Sequence, residues 1–105
     1  MDHCLVLTHC PDAGVARAIA RTLLSERLAA CVTIQAPVTS LYHWQGALEE
    51  ATEVPLLIKT RTACYPALQQ RIVELHPYSV PEVIALPITH GLPAYLDWLT
   101  EETSS

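Results

Sequence analysis

Cys31-Val32-Thr33-Ile34-Gln35-Ala36-Pro37-Val38-Thr39-Ser40-Leu41-Tyr42-His43-Trp44 is followed by Gln45-Gly46 and then by a second extended run that closes on Val54-Pro55-Leu56-Leu57-Ile58-Lys59-Thr60. The β-branched and aromatic residues of 31–44 predict a strand, with Pro37 marking a bend or an unpaired edge position. Gln45-Gly46 supplies a tight turn, and residues 48–60 return, acidic at first (Glu49, Glu50, Glu53) and apolar at the end. Strands of roughly thirteen residues are about twice the usual five or six, so the tip of this hairpin must project beyond its neighbours.

Working outward, residues 3–8 form a short apolar run of the kind found in a strand covered on both faces. Pro11-Asp12 stops it and offers a helix cap. Apolar pairs then recur every four residues, at Val15/Ala16, Ile19/Ala20, Leu23/Leu24 and on to Leu28, which predicts an amphipathic helix. After the hairpin, Tyr65, Leu68, Ile72 and Leu75 keep helical spacing; the start falls at Thr62 or at Pro66, since proline suits only a first turn. His76-Pro77-Tyr78-Ser79-Val80-Pro81 is extended, because each proline restricts the residue before it. Glu82 to Ile88 reads as a strand, His90-Gly91 as a turn, and Pro93 opens a last helix with Tyr95, Leu96 and Leu99 inward.

The order β-α-β-β-α-β plus a terminal helix is the split βαβ pattern of a ferredoxin-like α+β fold. Right-handed crossovers give one antiparallel sheet ordered 4-1-3-2, with both main helices on one face. The first, third and fourth strands are apolar on both sides, so something must also cover the other face. A neighbouring subunit would do this and would seal the projecting hairpin edges.

Composition agrees. The chain has 105 residues, 50% apolar and only 16% charged, with net charge −5. One domain over 1–102 fits this length, with 103–105 as a loose tail. Disorder is excluded, and no apolar stretch approaches the roughly 18–20 residues of a membrane span. Lys59 is the only lysine and the arginines stand apart, so there is no basic stripe for nucleic acid. Without a basic, apolar leader the expected place is the cytoplasm, where Cys4, Cys10, Cys31 and Cys64 stay thiols. No nucleophile elbow, zincin helix or phosphate loop occurs, and the expectation is a protein that is not an enzyme.

In this topology the end of the first strand meets the starts of the third and fourth. That gathers His9 and Cys10, His76 through Glu82, and Glu49, Glu50 and Glu53, residue types that suit copper or zinc. Against this, His9 and Cys10 are adjacent and point to opposite faces of a strand, His76 can serve a loop carbonyl, and strand-edge glutamates are often only solubilising.

Several segments carry a resemblance: Ala29-Ala30-Cys31-Val32, Ser40-Leu41-Tyr42-His43-Trp44-Gln45-Gly46, Glu53, Lys59-Thr60, His76-Pro77-Tyr78-Ser79-Val80-Pro81-Glu82 and Tyr95-Leu96-Asp97-Trp98. In order and spacing, from residue 4 to 99, the chain resembles the CutA family of divalent-cation tolerance proteins. The resemblance implies a compact homotrimer similar in architecture to PII signalling proteins, copper binding, and a role in metal tolerance. It places Tyr42 and Trp44 in the trimer interface. It also implies a cysteine at the end of the first strand and a His-His pair before Pro-Tyr. Here those positions are Thr8, Leu75 and His76, leaving His76 with Glu82, Cys10 and His9 as the expected metal ligands. An alternative function is a small-ligand sensor or interaction scaffold that needs no metal, its intersubunit cleft at the trimer interface rimmed by Lys59, Glu53 and Tyr78 by analogy with PII proteins.

Overall fold

A computed structural model describes residues 2–103. The elements are β1 (His3–Cys10), α1 (Ala13–Ser25), β2 (Cys31–Ile34), β3 (Val38–Trp44), β4 (Ala47–Arg61), α2 (Tyr65–Leu75), β5 (Ile84–Pro87) and α3 (Pro93–Glu102). They form a mixed α+β fold with an antiparallel sheet, ordered β2-β4-β1-β5, along which β3 pairs only with the outer part of β4.

β4 organises the sheet. Its inner half pairs with β1, from Val54 opposite Cys10 to Arg61 opposite His3, and on its other edge with β2. Its outer half, from Ala47 to Glu53, pairs with β3. The expected single strand over 31–44 is therefore two strands, divided at Gln35-Ala36-Pro37, where proline removes a ladder donor. Gln45 (φ 50°) and Gly46 (φ 81°) both take left-handed backbone, the type I′ turn whose twist matches the strands it joins. The projecting hairpin stretches the molecule to 45 Å against 26 and 24 Å in the other directions.

α1 starts as its sequence dictates, with the Asp12 side chain accepting a 2.8 Å hydrogen bond from the Val15 N–H. It ends in a Schellman closure, with Leu28 N–H to Leu23 O at 2.9 Å and Arg27 N–H to Leu24 O at 3.1 Å. The left-handed position is Arg27 rather than glycine, at φ 60°, and its guanidinium reaches Glu102 at 2.7 Å on α3. α2 follows a 3₁₀ turn over Thr62–Cys64, and Pro66 sits in its first turn where no N–H is needed.

The core lies between the two main helices and one face of the sheet. Ile19 and Leu23 of α1, Leu68 and Ile72 of α2, and Val6, Leu56 and Ile58 of the strands are fully buried there. Alternation along β1 puts Cys4, Val6, Thr8 and Cys10 on this side. The opposite face holds Leu5 and Leu7, only partly covered, with their β5 partners Leu86 and Ile84 at 45% and 50% exposure.

Several boundaries differ from expectation. β1 runs two residues further, so His9 and Cys10 are still in the strand and face opposite sides. β5 is four residues rather than seven, because Pro81 and the extended loop before it carry the chain away from β1. In α3 only Leu99 is buried, while Tyr95 packs on Trp98 at the surface, ring centroids 5.6 Å apart. Thr103 belongs to the fold and not to a loose tail: it is buried, and Arg61 donates to its hydroxyl and its carbonyl, each at 2.8 Å. Ser104 and Ser105 lie outside the described residues.

Candidate functional site

Where the hairpin leaves the sheet, a cleft of about 590 Å³ opens between the end of β1, the base of the β3–β4 hairpin and the loop after α2. Glu53 lies at its floor, 6% exposed. Its Oε2 accepts from the Tyr78 hydroxyl at 2.9 Å and its Oε1 from His9 Nδ1 at 3.3 Å. Burial alone would push this carboxyl up; hydrogen bonds from Ser40, Tyr78 and His9, with the neighbouring His9 charge, outweigh it and hold the group below its ordinary value. Tyr78 responds in the opposite sense. Burial first, then its bond to Glu53 and that residue's charge, push the phenol up to about 12.

The Glu53 contact fixes the tautomer of His9. A carboxylate can only accept, so Nδ1 carries a proton; Nε2 has a lone pair in the neutral imidazole and a second proton in the imidazolium. That nitrogen faces Glu82, whose Oε2 lies 3.9 Å away on the exposed rim.

His76 is wired the other way round. It is buried, its Nε2 donates to the His9 carbonyl at 2.6 Å, and its Nδ1 accepts the Tyr78 backbone N–H at 3.2 Å. The ring also packs against that of Tyr78, centroids 4.6 Å apart. Both nitrogens are spent, so His76 binds the loop over 76–82 to the end of β1 and has no lone pair to offer a metal. This corrects the expectation that it is a ligand.

Cys10 is a second correction. Fully buried on the helix side, its thiol is pushed up to about 11 by burial, then by the charges of Asp12 and Glu53. It cannot turn toward His9 without breaking the strand. Thr8 is buried on the same side, and its hydroxyl finds no hydrogen-bond partner among the described residues. Lys59 stands six residues along β4 from Glu53, where Nζ donates to Thr33 Oγ1 at 3.1 Å, so within one chain it does not line the cleft with Glu53 and Tyr78.

Of the expected residues, the fold thus brings together His9, Glu53, Tyr78 and Glu82, with Tyr42 and Trp44 along the cleft wall. Ser40 carries no signal of its own in the sequence; only the Ser-Leu-Tyr-His-Trp segment around it does. Among the described residues no group of three or more His, Cys, Asp or Glu converges on a metal position. Among the described residues that line the cleft, His9 Nε2 and Glu82, 3.9 Å apart, are the pair a cation could bridge.

The profile of the CutA1 divalent ion tolerance protein family matches residues 4–102. The chain belongs to this family. It is 52% identical over 99 residues to the divalent-cation tolerance protein CutA of Thermus thermophilus, covering 94% of this chain and 96% of that one. It is 47% identical over 96 residues to mouse protein CutA, 91% of this chain but only 54% of that longer protein. The solved structure of the CutA described as periplasmic, from Archaeoglobus fulgidus, superposes with TM-score 0.94 at 35% identity, covering 97% of this chain and 99% of that one. No helix among the described residues is long and apolar enough to cross a membrane.

Proposed function

We propose that this chain binds divalent copper at the hairpin cleft and serves divalent-cation tolerance, as a homotrimer and without catalysing a reaction. The observation that carries this reading is the state of His9. Glu53 accepts from its Nδ1 and leaves Nε2 toward Glu82, the carboxylate–histidine arrangement that orients metal-ligating imidazoles. An imidazole nitrogen and a carboxylate oxygen suit Cu(II) or Zn(II), and a cleft lining without cysteine disfavours Cu(I). Two donors give weak binding, with water completing the shell.

Trimer formation is supported by the open sheet face around Leu5, Leu7, Ile84 and Leu86 and by the projecting hairpin with Leu41, Trp44 and Leu48 exposed. The same assembly would account for the low charge of the sequence. Four free cysteines suit the cytoplasm.

Calorimetric titration with Cu(II) tests the binding, with sedimentation for the assembly. Stoichiometric uptake by the wild type should fall at least tenfold in His9→Ala and in Glu82→Ala. No heat up to millimolar copper, or uptake that survives both substitutions, would overturn the site.

A further inference from the structure

Four hydrogen bonds run in a closed ring that starts and ends on His9. The His9 carbonyl accepts from His76 Nε2 at 2.6 Å, His76 Nδ1 accepts the Tyr78 N–H at 3.2 Å, the Tyr78 hydroxyl donates to Glu53 Oε2 at 2.9 Å, and Glu53 Oε1 accepts from His9 Nδ1 at 3.3 Å. The ring ties the His9 side chain to its own backbone by way of the loop after α2 and the base of the hairpin.

The links are unequal. The His9–Glu53 bond is the longest of the four, and it decides which imidazole nitrogen faces Glu82. A glutamate carboxylate turns over a broad range about its last bond, so Oε1 stays on His9 only while Oε2 is held elsewhere. Tyr78 does the holding. Its own backbone is fixed by His76, against whose ring its ring packs at 4.6 Å. Without the hydroxyl, the buried carboxylate loses a donor and recovers one by turning toward water in the open cleft, which takes Oε1 off His9.

We infer that Tyr78 is a positioning residue for the cation site: through Glu53 it holds the His9 ring so that Nδ1 keeps a proton and Nε2 is presented beside Glu82. This rests on the cation reading of the cleft, although the ring of hydrogen bonds itself needs no metal. It needs no free surface either. Glu53 and His76 are buried and Tyr78 half-buried within one chain, and a subunit that covers the hairpin leaves the ring inside.

Tyr78→Phe tests it, since it removes one oxygen and keeps both the ring packing and the backbone N–H. Proton–nitrogen correlation spectra of the imidazoles in the metal-free full chain, at about pH 8.5 and so roughly two units above the usual histidine value, read which nitrogen carries the proton. A His9→Gln spectrum assigns the signal. Wild-type His9 should carry its proton on Nδ1. Tyr78→Phe should move part of the population to the Nε2–H form and weaken Cu(II) by about threefold or more in calorimetry, a smaller loss than removal of the orienting carboxylate itself. Tyr65→Phe removes a different hydroxyl, one bonded to Gln69 and the Val83 carbonyl, and should change neither. A Tyr78→Phe chain with His9 still wholly Nδ1–H, or an equal shift in Tyr65→Phe, would overturn the inference. The two readings fail separately: a tautomer that follows Tyr78 in a chain taking up no copper defeats only the metal site, and copper uptake with a tautomer indifferent to Tyr78 defeats only the positioning role.

Discussion

Two histidines lie one hydrogen bond apart at the end of β1 and are put to opposite uses. His9 has its Nδ1 held by Glu53 and its Nε2 open toward Glu82. His76 spends Nε2 on the His9 carbonyl and Nδ1 on the Tyr78 N–H. Residue type and proximity are the same in both, so the difference lies in which nitrogen the surroundings have consumed. A histidine becomes a ligand when one nitrogen is oriented and the other left over; with both satisfied it becomes part of the framework.

Stability should separate the pair most widely. His76→Ala leaves a partly buried carbonyl and a partly buried N–H without their partner, at roughly 1–3 kcal/mol each, so a loss of about 2–6 kcal/mol is expected in urea unfolding. His9→Ala removes a part-exposed ring with one 3.3 Å bond and should cost about 1 kcal/mol or less. Metal uptake should rank them in reverse, with His9→Ala losing more than His76→Ala among molecules that remain folded. A His9 variant less stable than the His76 variant would abolish the contrast.

Glu53 sharpens the comparison from its other side. Glu53→Gln keeps the shape but removes the charge that makes its bonds to His9 and Tyr78 strong, and should cost about 1–3 kcal/mol. An amide can also donate, so the His9 tautomer is no longer dictated. Copper affinity should fall by roughly 10–100-fold, the usual effect of losing an orienting partner behind a ligand. Unchanged affinity in Glu53→Gln would mean that His9 is not held for this purpose.

The cysteines offer a third test. Cys10 is fully buried with its thiol at about 11, whereas Cys31 and Cys64 are part-exposed. At pH 8 a thiol at about 11 is only about 0.1% thiolate, so Cys10 should resist iodoacetamide in the folded protein while Cys31 and Cys64 react. Mass mapping of the alkylated peptides reads this directly. Early labelling of Cys10 would show that it can leave the core and restore it as a candidate ligand.

What the sequence disclosed follows the range of the interactions involved. The Asp12 cap, the Gln45-Gly46 turn and the period of α1 are decided within four or five residues and are legible, whereas the start of α2 stays open between Thr62 and Pro66 because a 3₁₀ turn precedes it. The gathering of His9, Glu53, Tyr78 and Glu82 was legible as topology, since strand ends that must meet can be named from the element order. Which nitrogen of His76 is consumed was not legible, because its acceptor is a backbone carbonyl 67 positions away. The same holds for Thr103, held by Arg61 across 42 positions. Lys59 is different in kind: its expected cleft with Glu53 and Tyr78 lies between subunits, and within one chain the spacing along β4, one residue per roughly 3.3 Å, separates Lys59 from Glu53 by about 20 Å.

The smallest effect lies in the alkaline limb. Tyr78 donates to the Glu53 carboxylate at 2.9 Å, and a phenolate there would face that charge in a partly buried site. Its phenol is held at about 12, against about 10 for a tyrosine in an unfolded chain. A folded value raised above the unfolded one means that the protonated phenol stabilises the fold. That contribution is complete below about pH 10 and is lost as pH rises toward 12. Absorbance titration near 295 nm on the folded protein should therefore show one of the four tyrosines ionising last, and Glu53→Gln should bring that step earlier by removing both the acceptor charge and the repulsion. The order matters more than the size of the shift. If Tyr78 titrated with the exposed tyrosines, Glu53 would not be gripping it, and the carboxylate that orients His9 would itself lack a fixed position.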